Sequence, residues 1–179
     1  MITIGVVNTK GGTGKTTLTA CLAVRAAKDG LVCVVDLDSQ GSFSDWYRRR
    51  GSPDNPALFT GEDRASDAVE ALALTSPYDW VFLDGPPGSI LTTEDAVAAA
   101  TLVVVPMRAS GLDLAASQDC VQICRDAGKP FLCVLNSVGS REAATLGENA
   151  RSTLLAYKIP IAKTAVAQRV SYVNAMTTG

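Results

Sequence analysis

The sequence predicts an α/β protein in three layers, with a mostly parallel central sheet flanked by helices. Three observations carry that expectation. Short apolar, β-branched runs alternate with stretches of helical spacing along all 179 residues, as in a buried parallel sheet with crossover helices. A glycine-rich loop joins the first such run to the first helix. The acidic and polar residues of chemical interest fall at the C-terminal ends of strands, the rim on which open parallel sheets bind ligands.

The elements follow in order. Residues Ile2 to Val7 form a short run fit for a buried strand. The helix expected over Thr16 to Asp29 has Leu18, Cys21, Leu22, Arg25 and Ala26 at helical spacing, with Gly30 suited to close it. Leu31 to Val35 make a second strand that ends in Asp36-Leu37-Asp38. The polar segment Ser39 to Ser44 leads to a short helix over Asp45 to Arg50. Gly51 to Gly61, holding Pro53, Asp54, Asn55 and Pro56, reads as a long loop. Arg64 to Leu74 are helical, and the strand Trp80 to Leu83 ends at Asp84. Gly85-Pro86-Pro87-Gly88 is a turn, after which Thr92 is placed to cap a helix through Ala99. Leu102 to Val105 are a strand stopped by Pro106. Gly111 to Ala127 read as one helix closed by Gly128, and the strand Phe131 to Leu135 ends at Asn136. Arg141 to Tyr157 are helical, Ile159 to Lys163 extended, and a last helix covers Ala167 to Ala175. With no repeat, low-complexity tract or clean boundary, residues 1–179 are read as a single domain.

Composition narrows the function. Apolar residues make up 47% of the chain, yet no uncharged run approaches the length of a membrane span. The N-terminal apolar stretch goes straight into the glycine loop, without the form of a secretory signal. The five cysteines (Cys21, Cys33, Cys120, Cys124, Cys133) sit in apolar segments, and Cys120 and Cys124 share a helical face as core packing. Histidine is absent, which removes the commonest general base and transition-metal ligand. With a net charge of −2, nucleic-acid binding has to come from a local patch. Candidates are Arg48-Arg49-Arg50 and a surface pooled from Arg141, Arg151, Lys158, Lys163 and Arg169 of two protomers.

The loop Lys10-Gly11-Gly12-Thr13-Gly14-Lys15-Thr16-Thr17 carries the chemistry. Its glycines let the backbone wrap phosphates with N–H groups pointing inward. Lys15 supplies a point charge for β- and γ-phosphates, and the Thr16 hydroxyl is a ligand for Mg2+. Thr9 stands where the usual phosphate-loop pattern has glycine, and a second lysine, Lys10, precedes the first by five residues. That is the deviant form K-G-G-x-G-K-T-T. Strand, glycine loop and helix together aim a helix N-terminus at phosphate. Asp84, ending an apolar strand, has the form of a Walker B carboxylate that holds Mg2+ directly or through water. Asp36 and Asp38 lie two residues apart at one strand end, so alternation places both on the phosphate side, one near the metal and one near the attacking water. Phosphoryl transfer needs positioning and charge neutralisation more than a strong base, so a slow hydrolase without histidine is consistent chemistry. Asn136 is placed to contact a purine edge, and Pro160 is counted with it among the nucleotide-binding residues. Ser137-Val138-Gly139 lacks the lysine and aspartate of a guanine-reading loop, which favours ATP over GTP.

These residues resemble the ParA/MinD family of ATPases, and most nearly its short ParA DNA-partition proteins. Beside the loop, Asp38-Ser39-Gln40-Gly41-Ser42 with Asp45-Trp46 looks like their second motif, and Tyr78 to Pro87 like their third. Gln168-Arg169-Val170 is similar to a segment near their C-terminus. Ser39 departs from the proline usual there, and relatives usually continue past the position of Gly179 into a further helix. The resemblance implies a P-loop NTPase fold of the deviant Walker A type. It implies that Lys15 binds phosphate, that Thr16 and Asp84 serve Mg2+, and that Asp38 orients the attacking water with Asp36 in support. Lys10 would reach across a nucleotide-sandwich dimer to the partner's ATP. The expected partners are a second copy in an ATP-dependent homodimer, a centromere-binding protein that stimulates hydrolysis, and non-specific DNA, with no membrane. The expected place is the cytoplasm, on the nucleoid. The rival readings are a MinD-like membrane-cycling ATPase, an iron–sulfur reductase and a metabolic kinase or synthetase of the same fold. The first needs a terminal basic amphipathic helix, which Ala167 to Gly179 does not supply.

Overall fold

A computed structural model describes residues 1–60, 62–75, 77–139 and 141–179. Six strands, all parallel, form one sheet: β1 (Ile2–Val6), β2 (Val32–Asp36), β3 (Ala57–Phe59), β4 (Trp80–Asp84), β5 (Leu102–Met107) and β6 (Phe131–Leu135). Their order across the sheet is β3-β2-β4-β1-β5-β6. The helices are α1 (Lys15–Ala26), α2 (Ser42–Arg49), α3 (Ala65–Thr75), α4 (Ile90–Ala99), α5 (Gly111–Ala116), α6 (Gln118–Asp126), α7 (Arg141–Ala156) and α8 (Val170–Thr178). The expected three-layer α/β fold is the one observed.

Strand periodicity sorts the core into two halves. Val32, Val34, Phe82 and Val104 pack with Leu18, Ala20 and Ala23 of α1 and Phe43 and Trp46 of α2. The alternate residues Cys33, Val35, Val81, Leu83, Val103 and Val105 pack on the other face with side chains of α3, α4, α6 and α7. Because β1 lies centrally between β4 and β5, the loop after it opens where the carboxyl ends of three strands converge.

Several elements differ from their sequence reading, each for a local reason. The long loop from Gly51 contains β3, an edge strand in register with β2 (Cys33 beside Ala57, Val35 beside Phe59). Three residues are too few for a periodicity signal, and Asn55 secures them: its Oδ1 accepts from Val32 N at 2.9 Å. Gly61, the expected end of that loop, lies outside the described residues. Helix α2 starts at Ser42 rather than Asp45, because the Asp36 carboxylate accepts from Ser44 N and Oγ and holds the first turn. Ser89, not Thr92, caps α4, accepting from Thr92 N. Ala27 caps α1, whereas Gly30 sits against Asp79: a Cβ there would meet Asp79 Oδ2 at 2.5 Å. Strand β5 runs through Pro106. Val103 N donates to Pro130 O toward β6, so even-numbered amides point to β1, whose pairing with β5 stops at Val104. The missing N–H of Pro106 therefore falls beyond the last residue that β1 pairs. The single helix expected over Gly111 to Ala127 is broken at Ser117, whose Oγ donates to Asp113 O at 2.8 Å, a back-bond that bends helices. Gly128, at φ +62, does close α6. Ile159 to Lys163 contribute a single bridge to β6, and the last helix starts three residues later than expected, at Val170.

Candidate functional site

The loop is built on two glycines in the left-handed region, Gly12 (φ +72) and Gly14 (φ +87). Gly14 has a second reason: a Cβ there would lie 2.1 Å from Asn136 Nδ2. That amide nitrogen donates to Thr13 O at 2.8 Å, and Asn136 Oδ1 accepts from Ser137 N. The end of β6 thus braces the loop from beneath. From the other side, Gly88 N donates to Thr9 O at 2.8 Å, which leans the β4–α4 turn on the loop.

The two lysines sit in opposite environments. Lys15 is 7% exposed, and its Nζ donates to Lys10 O at 3.3 Å. Burial pushes the Lys15 pKa below the usual lysine value, while the charges of Asp84 and Asp38 offset part of that effect. Lys10 is exposed; its backbone N donates to Asn8 Oδ1 at 2.9 Å, and among the described residues its ammonium has no partner.

Asp84 is fully buried at the end of β4. Thr19 Oγ1 lies 2.9 Å from its Oδ1, and its Oδ2 has no hydrogen-bond partner among the described residues. Burial lifts its pKa to about 7, against the pull of the Thr16 and Thr19 hydroxyls; Asp36 raises it and Lys15 lowers it further. A buried carboxylate oxygen left unpaired, beside a threonine hydroxyl at the mouth of a phosphate loop, is what a divalent cation or its bound water satisfies. The donor set, hard oxygens only, fits Mg2+. Thr16 and Asp84 are therefore the residues able to hold it.

Asp36 stands beside Asp84 in register, but its carboxylate is engaged within the chain. Oδ1 accepts from Asp38 N at 3.2 Å, and Oδ2 from Ser44 N at 2.9 Å and Ser44 Oγ at 2.7 Å. That makes it an organiser of the Asp38 turn rather than a free ligand. Since β2 ends at Asp36, Asp38 lies past the pleat and the alternation argument does not place it. What places it is that turn. Asp38 lines a cavity of about 190 Å3 with Gly12, Gly14, Lys15, Thr16, Thr17 and Pro87.

A larger cleft of about 500 Å3 adjoins the loop, walled by Thr17, Cys21, Asn136, Gln168, Tyr172 and Met176 among others. Residues Val166 to Gln168 reach it because Val138 N donates to Val166 O and Gln168 N to Val138 O, prolonging the β6 edge. Helix α8 closes it, held to α2 by Trp46 Nε1 donating to Ala175 O and Arg49 to Met176 O. Asn136 is at this cleft as expected, with both ends of its amide already engaged. Pro160 is not. Its carbonyl accepts from Cys133 N, and the register of Ile161 beside Cys133 sets it next to Leu132, four residues short of Asn136, ~13 Å back along the strand.

The arginine triplet is exposed, but each member has a partner within the chain: Arg48 pairs with Asp45, Arg49 bonds Met176 O, and Arg50 lies over the Trp46 ring at 5.3 Å. Arg151 is bonded to Lys163 O, and the Arg141 side chain lies outside the described ones. Cys33, Cys120, Cys124 and Cys133 are buried, whereas Cys21 is exposed at the cleft. Sequence reasoning missed Thr19, one turn into α1, and Asn8, a buried polar residue at the end of an apolar strand; the break in apolar pattern at Asn8 was its only signal.

The description "CobQ/CobB/MinD/ParA nucleotide binding domain" matches residues 4–179 of the chain. Maintenance of carboxysome distribution protein A of Halothiobacillus neapolitanus is 31% identical over 187 residues, spanning 99% of this chain and 84% of that protein. Apo McdA of Cyanothece has a TM-score of 0.79 at 16% identity, covering 98% of this chain and 89% of that one. A putative plasmid partition protein of Borrelia burgdorferi B31, bound to AMPPNP, gives 0.78 at 18%, covering 99% and 91%. The two structural likenesses establish a shared fold. No helix among the described residues is long and apolar enough to cross a membrane.

Proposed function

Because the chain belongs to the CobQ/CobB/MinD/ParA family of nucleotide-binding domains, and is thus a ParA/MinD-type ATPase with ATP and Mg2+ as cofactors, we propose that it is a positioning switch: it pairs with a second copy around ATP, holds non-specific DNA as a dimer, and releases it on hydrolysis. The observation that carries this reading is the contrast of the two lysines. Lys15 is buried in its own loop, while Lys10, fixed at its backbone, presents to solvent at the same loop an ammonium with no partner among the described residues.

In this reading Lys15 leaves Lys10 O for the β- and γ-phosphates. Thr16 and Asp84 hold Mg2+, which when bound neutralises charge on those phosphates. Asp38, set by the Asp36 turn, accepts a hydrogen bond from the attacking water and orients it. Without a strong base, turnover is slow until a partner protein completes the geometry. Lys10 supplies the charge in trans, the part an arginine finger plays elsewhere. The cleft walled by α8 takes the adenosine.

The cargo has two readings. The motifs favour DNA, a plasmid or chromosome bound through a centromere-binding protein. The relative that matches 99% of the chain is named for carboxysome distribution, which favours a protein-bounded compartment with its own adaptor. Both place the protein in the cytoplasm on the nucleoid. The deciding experiment is Lys10→Ala. ATP binding by the monomer stays within about twofold of the parent, and the ATP-dependent dimer disappears on sizing. An intact dimer overturns the reading.

A further inference from the structure

We propose that Asn8, locked by Ser117, is a positioning residue for Lys10: it fixes the backbone from which the exposed ammonium reaches a partner's nucleotide. The proposal rests on the reading of Lys10 as the lysine that acts in trans.

Asn8 is fully buried, and every polar atom of its side chain is used. Oδ1 accepts from Lys10 N at 2.9 Å. Nδ2 donates to Pro106 O and to Ser117 Oγ, both at 2.9 Å. Ser117, 1% exposed, gives its own proton to Asp113 O at 2.8 Å, so toward Asn8 it offers only a lone pair. The direction of the chain is therefore set: Asn8 donates to Ser117, which donates to Asp113. A flipped amide would face Oδ1 to the Pro106 carbonyl and NH2 to the Lys10 N–H, losing every bond.

An amide buried among apolar side chains costs free energy unless paired, and an aliphatic residue would fill the same space. What an aliphatic residue cannot do is hold the Lys10 N–H. The other contacts of Lys10 come from within the loop: its carbonyl accepts from Lys15 Nζ at 3.3 Å and, at the long limit of 3.5 Å, from Thr13 Oγ1. Once Lys15 turns to phosphate the first is given up, and the Asn8 bond becomes the principal anchor of the residue. The break between α5 and α6, unexpected from sequence, is where Ser117 turns in to complete this anchor.

The test uses Ser117→Ala, which deletes the acceptor for Asn8 and the donor to Asp113 O at a position that tolerates alanine, with Asn8→Ala as a second variant. Three quantities are measured: amide hydrogen exchange at Lys10 in the nucleotide-free protein, monomer affinity for ATP, and the dimer Kd in AMPPNP and Mg2+. Support is exchange at Lys10 about tenfold faster, as expected on loss of one buried hydrogen bond, with Leu18 exchange unchanged, ATP affinity within about twofold, and dimer Kd raised about tenfold. Leu18 is the control because its amide is bonded at the same loop–helix junction, to Gly14 O; a general loosening would speed both. Unchanged exchange at Lys10 overturns the proposal, as does faster exchange with an unchanged dimer Kd while Lys10→Ala abolishes the dimer. If Lys10→Ala itself leaves the dimer intact, the trans reading fails and this proposal falls with it.

Discussion

Replacing Asp84 by asparagine should stabilise the protein when metal and nucleotide are absent, although it removes a residue assigned to Mg2+. The carboxylate is fully buried and has one partnered oxygen and one orphan. Its pKa rises from 3.8 to about 7 on folding, so the native state binds the proton more tightly than the unfolded chain. Stability is greatest below the unfolded value, falls as pH rises through the interval between the two, and levels off above the folded one. At ~1.4 kcal/mol per decade, the burden above pH 7 is about 4 kcal/mol. Asparagine carries no charge and keeps an oxygen for Thr19, but leaves an NH2 group in the orphan position, at a cost of about 1–2 kcal/mol. The net gain is about 2 kcal/mol at pH 8, or about 4–8 °C in Tm for a chain of this size. Calorimetric melts of parent and Asp84→Asn in EDTA, from pH 5 to pH 8.5, measure it. The advantage should shrink toward pH 5, where the parent is protonated, and Mg2+ with ADP should raise the Tm of the parent alone. A variant no more stable than the parent at pH 8, or an advantage independent of pH, refutes the reasoning.

Three further substitutions test the rest of the site. Lys15→Ala should abolish ATP binding, measured by calorimetry; retained micromolar affinity contradicts the assignment of the loop. Asp38→Ala should still bind ATP and form the dimer without turnover, and unchanged phosphate release would move the water-orienting role elsewhere. Gly14→Ala combines a left-handed φ of +87 with a Cβ 2.1 Å from Asn136 Nδ2, so it should weaken nucleotide binding at least 100-fold and lower stability by about 1–3 kcal/mol. A variant with parental affinity by fluorescent-nucleotide titration would show that Asn136 does not brace the loop.

The phosphate loop, Asp84 and most of the strands were legible because their signals are local: a run of fixed residue types, or apolar periodicity ended by a polar residue. What was not legible depends on register between distant segments. Pro106 looks like a stop until the β1 ladder is seen to end at Val104. Pro160 is counted with Asn136 among the nucleotide-binding residues, and only the bridge of Ile161 to Cys133 shows how far back it lies. Asp36 reads as a metal ligand by spacing, yet Ser44, eight residues on, takes its oxygen. The arginine triplet reads as a charged patch, but Asp45, the Met176 carbonyl on α8 and the ring of Trp46 each engage one of its members. Asn8 and Thr19 are polar residues inside apolar surroundings, and no pattern in one sequence says what such a residue is paired with.

The division of each strand into odd and even positions has an evolutionary corollary. The sheet acts as a party wall: chemistry occupies its edge and the α1, α2 and α8 side, while α3, α4 and α7 furnish the rooms behind. Substitutions on the rear side change how firmly the wall stands without moving the furniture in front, so that face is free to drift, or to acquire a new neighbour, at little risk to nucleotide handling. The bond from Asn8 to Ser117 breaches this separation, and there a change behind the wall is felt at the phosphate loop.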